Sequence, residues 1–151
     1  MKDRTGVFIC ECGPNIKDLI DLGVRPDVLY GRLYSSFPLS RVRLVAEMLG
    51  TLTLHAGGSA AIMHITPEMF RRSGASKADT EALVNEPMSA RPVVVSVPLL
   101  DMGAGEVRVS FRSKSPEVCG RDVDVAAIAG RFGGGGHRRA AGARVTGTLE
   151  D

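Results

Sequence analysis

A short stretch of the sequence, RFGGGGHRRAAG over residues 131–142, combines bare backbone with side-chain donors for anions. Four consecutive glycines are entropically costly to order and pack nothing, so they indicate a local need for backbone without side chains. Successive backbone N–H groups of such a run can converge on an anion. His137, Arg138 and Arg139 add donors of the kind that phosphates bind. The stretch predicts an anion site; the simpler alternative is a flexible helix end with a surface histidine.

A second basic segment, Arg112-Ser113-Lys114, follows a strand-like pattern. Taken alone, it fits a solvated sheet edge whose lysine prevents edge pairing. However, the helix, glycine loop and strand that follow are expected to return to the same sheet. The segment and the glycine run are therefore predicted to share one pocket. Residues 106–144 hold eight Lys and Arg against four Asp and Glu. This local surplus fits a small anion or a short nucleic acid better than a duplex.

Composition restricts the class of protein. A length of 151 residues suits one compact domain, and a net charge of +2 is too small for a generic nucleic-acid binder. Three cysteines, an odd number, argue against a disulfide framework. No apolar run approaches the length of a membrane span, and the N-terminus lacks the pattern of a signal peptide. We therefore expect a cytoplasmic protein with no membrane partner.

The elements that must position these residues follow from hydrophobic periodicity. The pattern predicts an α/β fold with a mixed sheet of four to five strands flanked by helices and preceded by a helical segment. Strands are expected over residues 5–10, 91–101, 105–114 and 140–149, with a hairpin over 51–66 turning at 56–59. Helices are expected over 13–23, on either side of residues 35–38, over 66–74, within 76–89 and over 120–132.

The strand over residues 105–114 alternates apolar and polar side chains, so its two faces must differ. The expected sets are Val107, Val109 and Phe111 on the apolar face, and Arg108, Ser110 and Arg112 on the polar face.

The segments VRVSFRSK (107–114) and VDVAAIAGRFGGGGHRRAAGARVTG (123–147) closely resemble the DHHA1 substrate-binding domain of the DHH phosphoesterase superfamily. The resemblance is to the bacterial oligoribonuclease and 3′-phosphoadenosine-5′-phosphate phosphatase branch, often labelled exopolyphosphatase-related. It covers roughly residues 24–147. Alanyl-tRNA synthetases carry a similar glycine-rich domain but lack the surrounding pattern.

The resemblance implies which residues bind the substrate, a short single-stranded RNA or a nucleotide. The residues that would line the phosphate site are Gly133, Gly134, Gly135, Gly136, His137 and Arg138. Two further cations, Arg112 and Lys114, would reach the same phosphates. Ser113 and Asn85 are weaker candidates.

The resemblance also implies a second lobe, the DHH lobe, whose Asp and His residues hold two manganese ions that activate water. No Asp-His-His occurs here, and His55, His64 and His137 are scattered along the chain. RTGVF resembles the Asp-Thr-Gly-Xaa-Phe end of that lobe, with Arg4 where its metal-binding aspartate would stand. We therefore expect no catalytic residue, metal ligand or cofactor in this chain, and Mn²⁺ only with a DHH lobe as partner.

The expected organisation has three parts. Residues 1–23 would be a remnant or replacement of the end of a DHH lobe, 24–50 a helical connector and 51–151 the DHHA1-like domain. The stretch GVFICECGPNI is also similar to the opening of heterodisulfide reductases, which are iron–sulfur flavoproteins, but no G-x-G-x-x-G loop follows. Cys10 and Cys12 lack the four ligands of a closed metal site, so buried or incidental thiols are expected.

Three hypotheses about function stay open. The chain could be a lobe that binds oligoribonucleotides or nucleoside bisphosphates without cleaving them. It could be a phosphoesterase completed by a partner's DHH lobe. It could also be a non-catalytic regulatory or structural module that retains the fold, and homo-oligomers are compatible with each.

Overall fold

The computed structural model describes residues 28, 30–32 and 35–149 of the chain. The chain divides into two compact units, residues 1–37 and 38–151. In the first unit, Val28 and residues 30–32 are helical, while the strand and helix predicted over 5–10 and 13–23 lie outside the described residues. Within the described residues, no helix has the length and apolar character needed to cross a bilayer.

The second unit alternates helices with a sheet, as predicted. Its helices are α1 (Leu39–Gly50), α2 (Pro67–Ser73), α3 (Pro116–Cys119) and α4 (Val125–Gly130), with 3-10 segments over Ala56–Gly58, Lys77–Thr80 and Leu83–Ser89. Its strands are β1 (Thr53–His55), β2 (Ala60–Ile65), β3 (Val95–Gly103), β4 (Glu106–Ser113), β5 (Gly135–His137) and β6 (Ala140–Thr146).

The strands form one mixed sheet in the order β1-β2-β3-β4-β6-β5. Only β2 and β3 run parallel, joined by the crossover that contains α2, and the other neighbouring pairs are antiparallel. The strands β1 and β5 lie at the two edges. The mixed α/β architecture is confirmed, although the described part of the chain has six strands rather than four to five.

Each face of the sheet supports its own hydrophobic core. On the first face, α1 contributes Leu44 and Met48, which pack against Met63 and Leu100 of the sheet. On the second face, α4 contributes Val125 and Ala129 to a cluster with three β4 residues, which are Val107, Val109 and Phe111. The apolar and polar faces predicted for β4 are therefore confirmed, and its polar side chains share the first face with α1.

Side-chain caps begin α2 and α4, and a left-handed glycine ends α2. The Thr66 Oγ1 accepts a hydrogen bond from the backbone N–H of Met69 at 3.3 Å, and Gly74 ends α2 in the left-handed conformation. At α4 the Asp124 side chain accepts from the N–H groups of Ala126 and Ala127 at 3.0 and 3.1 Å. These bonds satisfy donors that a helix start otherwise leaves unpaired.

Four segments differ from the prediction. The helix expected over residues 120–132 spans only Val125–Gly130, and α3 (Pro116–Cys119) was not expected. Residues 76–89 form two 3-10 segments instead of one short helix, because Ala82 between them takes φ 64°, which interrupts any continuous helix.

The glycine run, expected as a loop, pairs with β6 as the edge strand β5. Glycine makes this pairing possible, since a Cβ on Gly134 would lie 2.6 Å from the Cβ of Ala143, and one on Gly136 would lie 2.5 Å from the carbonyl oxygen of Ala140.

The turn between β5 and β6 is tethered to the start of α4. The carboxylate of Asp122 forms ion pairs with both turn arginines, Arg138 and Arg139. Arg139 also donates to the carbonyl of Val123 at 2.8 Å. The Arg138 carbonyl in turn accepts from the N–H of Val125 at 3.0 Å. The hydrogen bonds from Arg138 and then Arg139 lower the pKa of Asp122 below its ordinary value of 3.8.

We expect Gly134→Ala to destabilise the domain by about 1–3 kcal/mol, because backbone atoms of β6 occupy the space of the added methyl group. Gly50→Ala is the matched control: its methyl group would meet nothing within 4 Å at the end of α1. That change should stabilise the domain by about 0.4–1 kcal/mol. Urea denaturation of the two variants measures both, and equal stabilities would contradict the close pairing of β5 with β6.

We expect the contribution of Asp122 to stability to depend on pH. Because the pKa of Asp122 is lower in the folded state, its ion pairs stabilise the fold at pH values above the ordinary pKa of 3.8. This stabilisation is lost as the pH falls through the lowered value. Asp122→Asn should therefore be less stable than the natural protein at pH 7, and the gap should close at acid pH. Denaturation curves from pH 7 to 2 test this, and a gap that stays constant would refute it.

Candidate functional site

A groove lies on the first face of the sheet, beside the helical layer. It encloses about 940 Å³, the size of a site for a nucleotide-sized ligand. Its floor is formed by β3, β4, β6 and the glycine run, and one wall by residues 77–84. The wall is attached to the first core through Leu83, which is 1% exposed.

The groove is rich in positive charge. Its lining includes Arg108 and Arg112 of β4, Arg144 of β6 and Lys77 of the wall, against the single carboxylate of Glu81. Arg144 forms an ion pair with Glu106, with an Nη1 to Oε1 distance of 2.9 Å. Arg108, Arg112 and Lys77 form no ion pair with any other residue that the structure describes. The groove therefore carries cations whose charge the described residues leave largely uncompensated.

Strand register aligns His137 with Arg112. His137 of β5 pairs with Ala140 of β6, and Ala140 pairs with Arg112 of β4. Residues paired across a sheet share a face, so His137 lies on the groove side, two strand spacings or about 10 Å from Arg112. Only the methyl group of Ala140 lies between them. A small anion above Ala140 is within reach of both side chains.

The glycine run gives the groove an open backbone edge. Gly133, Gly134 and Gly135 line the groove, and β5 has no further strand beyond it in the described sheet. An edge strand carries N–H and C=O groups that the sheet leaves unpaired. A Cβ on Gly135 would meet nothing within 4 Å, so a ligand can approach its main chain closely.

The other residues predicted for the site lie elsewhere. The Ser113 hydroxyl is on the second face, where it donates to the carbonyl of Val123 at 2.9 Å. The Lys114 ammonium donates to the carbonyl of Ala90 at 2.7 Å. Both groups are engaged with backbone carbonyls rather than facing the groove.

Four further candidates are absent from the groove lining: Gly136, His137, Arg138 and Asn85. Gly136 pairs with Ala141 and so lies toward the second face, and His137 is on the groove side only by its register in β5.

Arg138 is in the turn after β5, where Asp122 and Asp124 bind its guanidinium. Asn85 is an exposed residue of the second 3-10 segment of the wall, one position beyond the lining residue Val84.

Sequence reasoning did not include Lys77, Arg108 and Arg144 among the site residues. The alternation of β4 puts Arg108 on the same polar face as Arg112, so Arg108 could have been identified from the sequence. Arg144 joins it only through the pairing of β4 with β6, and Lys77 only through the packing of the wall.

The donors needed for a metal centre do not meet in this part of the chain. Among the described residues, no three His, Cys, Asp or Glu side chains group closely enough to hold a metal ion. His55 is exposed at the end of β1, where its Nε2 lies 3.0 Å from the hydroxyl of Thr53. The described residues therefore do not fit the manganese site of a DHH lobe, and no metal-dependent step is assigned to them.

Comparison with known proteins identifies relatives of this fold. The model of the DHHA1 domain family matches residues 57–151. The probable bifunctional oligoribonuclease and PAP phosphatase NrnA of Streptococcus mutans is 30% identical over 112 residues, which are 74% of this chain and 34% of that protein. The chain thus spans about a third of the length of this relative.

Two solved structures share the fold. An exopolyphosphatase-related protein of Bacteroides fragilis superposes with a TM-score of 0.74 at 28% identity, over 89% of this chain and 38% of the other. The pGpG-specific phosphodiesterase PggH of Vibrio cholerae superposes with a TM-score of 0.52 at 12% identity, over 90% of this chain and 41% of the other.

The family match covers strands β2 to β6, the glycine run and the groove described above, and the relatives share sequence and fold with this part of the chain. The chain belongs to the DHHA1 domain family of the DHH phosphoesterase superfamily.

Proposed function

We propose that the groove binds the terminal phosphate and the attached nucleotide of a short oligoribonucleotide or a nucleoside bisphosphate. In this role the chain is the substrate-binding part of a phosphoesterase. The hydrolytic step belongs to a DHH lobe, whose manganese ions would supply an activated water.

The observation that carries the proposal is the row formed by His137, Ala140 and Arg112 beside the open glycine edge. Arg112 offers a planar guanidinium that can bind two phosphate oxygens at once. His137 offers a ring nitrogen, and Gly135 offers main chain without a side chain in front of it. These donors surround a place for one phosphate, and the methyl group of Ala140 leaves room for it.

The floor next to this row suits a sugar or a base. It consists of small side chains and exposed backbone, including Ser110, Gly142 and Pro98. A groove lined by one sheet face and one short wall can hold a single strand, whereas a duplex needs a broader positive surface. The names of two relatives, an oligoribonuclease with PAP phosphatase activity and an exopolyphosphatase-related protein, agree with a phosphate-bearing ligand.

We assign the phosphate contacts to Arg112, His137 and the backbone of Gly133 to Gly135. Arg138 instead positions the turn that carries His137, because its guanidinium is bound by Asp122 and Asp124. In the proposed role these groups bind and orient the substrate. Neither a nucleophile nor a general base is required of them.

Titration of the full chain into end-labelled di- to pentaribonucleotides, with and without Mn²⁺, tests this function. We expect binding in both conditions and no shortening of the label. Arg112→Gln should weaken binding by about 10-fold or more, since a hydrogen bond to a charged group contributes about 1.5–3 kcal/mol. Arg43→Gln removes the same charge from the exposed side of α1 and should leave the affinity unchanged.

The other outcomes separate the competing hypotheses. Cleavage by the purified chain with Mn²⁺ would show that it is a phosphoesterase by itself. Absence of binding, or equal binding by the Arg112→Gln variant, would favour a regulatory or structural module.

A pair of glycine substitutions tests whether the open main chain is part of the site. Gly135→Ala and Gly130→Ala add the same methyl group where neither φ nor neighbouring atoms oppose it. Only the first methyl group enters the groove, so Gly135→Ala should weaken oligonucleotide binding by about fivefold or more, the effect of roughly 1 kcal/mol of overpacking. Gly130→Ala should bind as the natural protein does. Equal affinities would remove the glycine edge from the proposed site.

A further inference from the structure

The turn between β5 and β6 lacks the residues that normally form a tight hairpin. His137 pairs with Ala140, so Arg138 and Arg139 alone make up the turn. Two-residue hairpin turns favour glycine, asparagine or aspartate, because one or both central residues need a positive φ. Neither arginine has a positive φ. The geometry of this hairpin must therefore be maintained by contacts that the turn makes with other parts of the chain.

Arg139 makes contacts from this turn to two other elements. Its guanidinium donates to the carbonyl of Val123 at 2.8 Å and to the hydroxyl of Ser113 at 3.4 Å, and it forms an ion pair with Asp122. The Arg139 carbonyl accepts a hydrogen bond from the N–H of Ser113 at 3.2 Å. The Arg139 side chain is 29% exposed, against 57% for Arg138. Arg139 therefore joins the turn to the start of α4 and to the end of β4.

These contacts connect the chain neighbours of two residues on the groove side. Ser113 directly follows Arg112, and Arg139 lies two positions after His137. Within the described part of the chain, the side chains of His137 and Arg112 form no hydrogen bond or ion pair. Because no side-chain contact holds either of them, the backbone that carries them sets their separation. The Arg139 guanidinium ties those two backbone segments together from the second face of the sheet.

We propose that Arg139 is a positioning residue of the phosphate site, whose guanidinium fixes the separation between His137 and Arg112. The inference rests on the proposed function, because it takes these two side chains as the phosphate ligands. Arg139 itself does not touch the ligand and acts through the backbone of the turn and of β4. A lysine at this position would keep the charge, but its compact ammonium cannot reproduce the planar fork that holds three acceptors at once.

Anisotropy titration of the full chain with a 5′-phosphorylated pentaribonucleotide, labelled at its 3′ end and in the presence of EDTA, tests this role. We expect Arg139→Lys to weaken binding about fivefold. Arg121→Lys makes the same substitution at an exposed residue just before Asp122 and should leave the affinity unchanged. The separation matters only while both ligands are present. In the His137→Ala and Arg112→Gln backgrounds, Arg139→Lys should therefore change the affinity by less than about twofold.

The histidine ring signals in NMR spectra give a readout that a loss of stability alone would not move. The chain has three histidines, and His55 and His64 lie on β1 and β2, on the opposite side of the sheet from β5. In the ligand-free protein, Arg139→Lys should shift the ring signal of His137 and leave the other two in place. Asp122→Asn removes one acceptor of the guanidinium without altering Arg139 and should shift the same signal, so the test does not depend on one variant folding.

Specific results would overturn the positioning role. If Arg139→Lys binds the RNA as the natural protein does, or weakens binding equally when His137 or Arg112 is already replaced, Arg139 does not set their separation, although the phosphate site stands. A His137 signal that stays in place in both variants also overturns the role. If His137→Ala and Arg112→Gln themselves bind as the natural protein does, the proposed function fails together with this inference.

Discussion

The pairing of the glycine strand with β6 is the constraint on which the rest of the site depends. Side chains at Gly134 or Gly136 would collide with the β6 backbone, so the two strands can pair in this way only where the sequence is glycine. Because β6 also pairs with β4, this contact carries the register across three strands. It places His137 level with Arg112 and leaves the main chain of Gly135 open to the groove. A loop at the same position would fix none of these relations.

The two faces of the sheet divide structural and binding roles between neighbouring residues. Arg138 and Arg139 follow His137 directly, yet Asp122 holds both at the start of α4. Ser113 follows Arg112 directly, yet its hydroxyl is bonded to a backbone carbonyl on the second face. A basic cluster in the sequence is therefore separated by the fold into one part that tethers the turn and another that faces the groove.

Much of the fold could be predicted from local patterns, and less of the site. The alternation of β4, the helix α2 and the hairpin of β1 and β2 are confirmed, because each depends on neighbouring residues in the chain. The glycine run is predicted as a loop, because glycine disfavours strands, and only pairing with β6 turns part of the run into a strand. The wall over residues 77–84 was expected to be helical, and the left-handed backbone at Ala82 divides it.

The sequence by itself determined the family, the α/β class and the polar face of β4 that carries Arg108 and Arg112. These properties follow from residue types and their periodicity, which a linear sequence contains. Only the tertiary structure decided that Arg144 stands opposite Arg108, that Lys77 lines the same groove, and that Arg138 is bound by carboxylates. Those relations depend on strand register and on packing between segments distant in the chain, which no local pattern specifies.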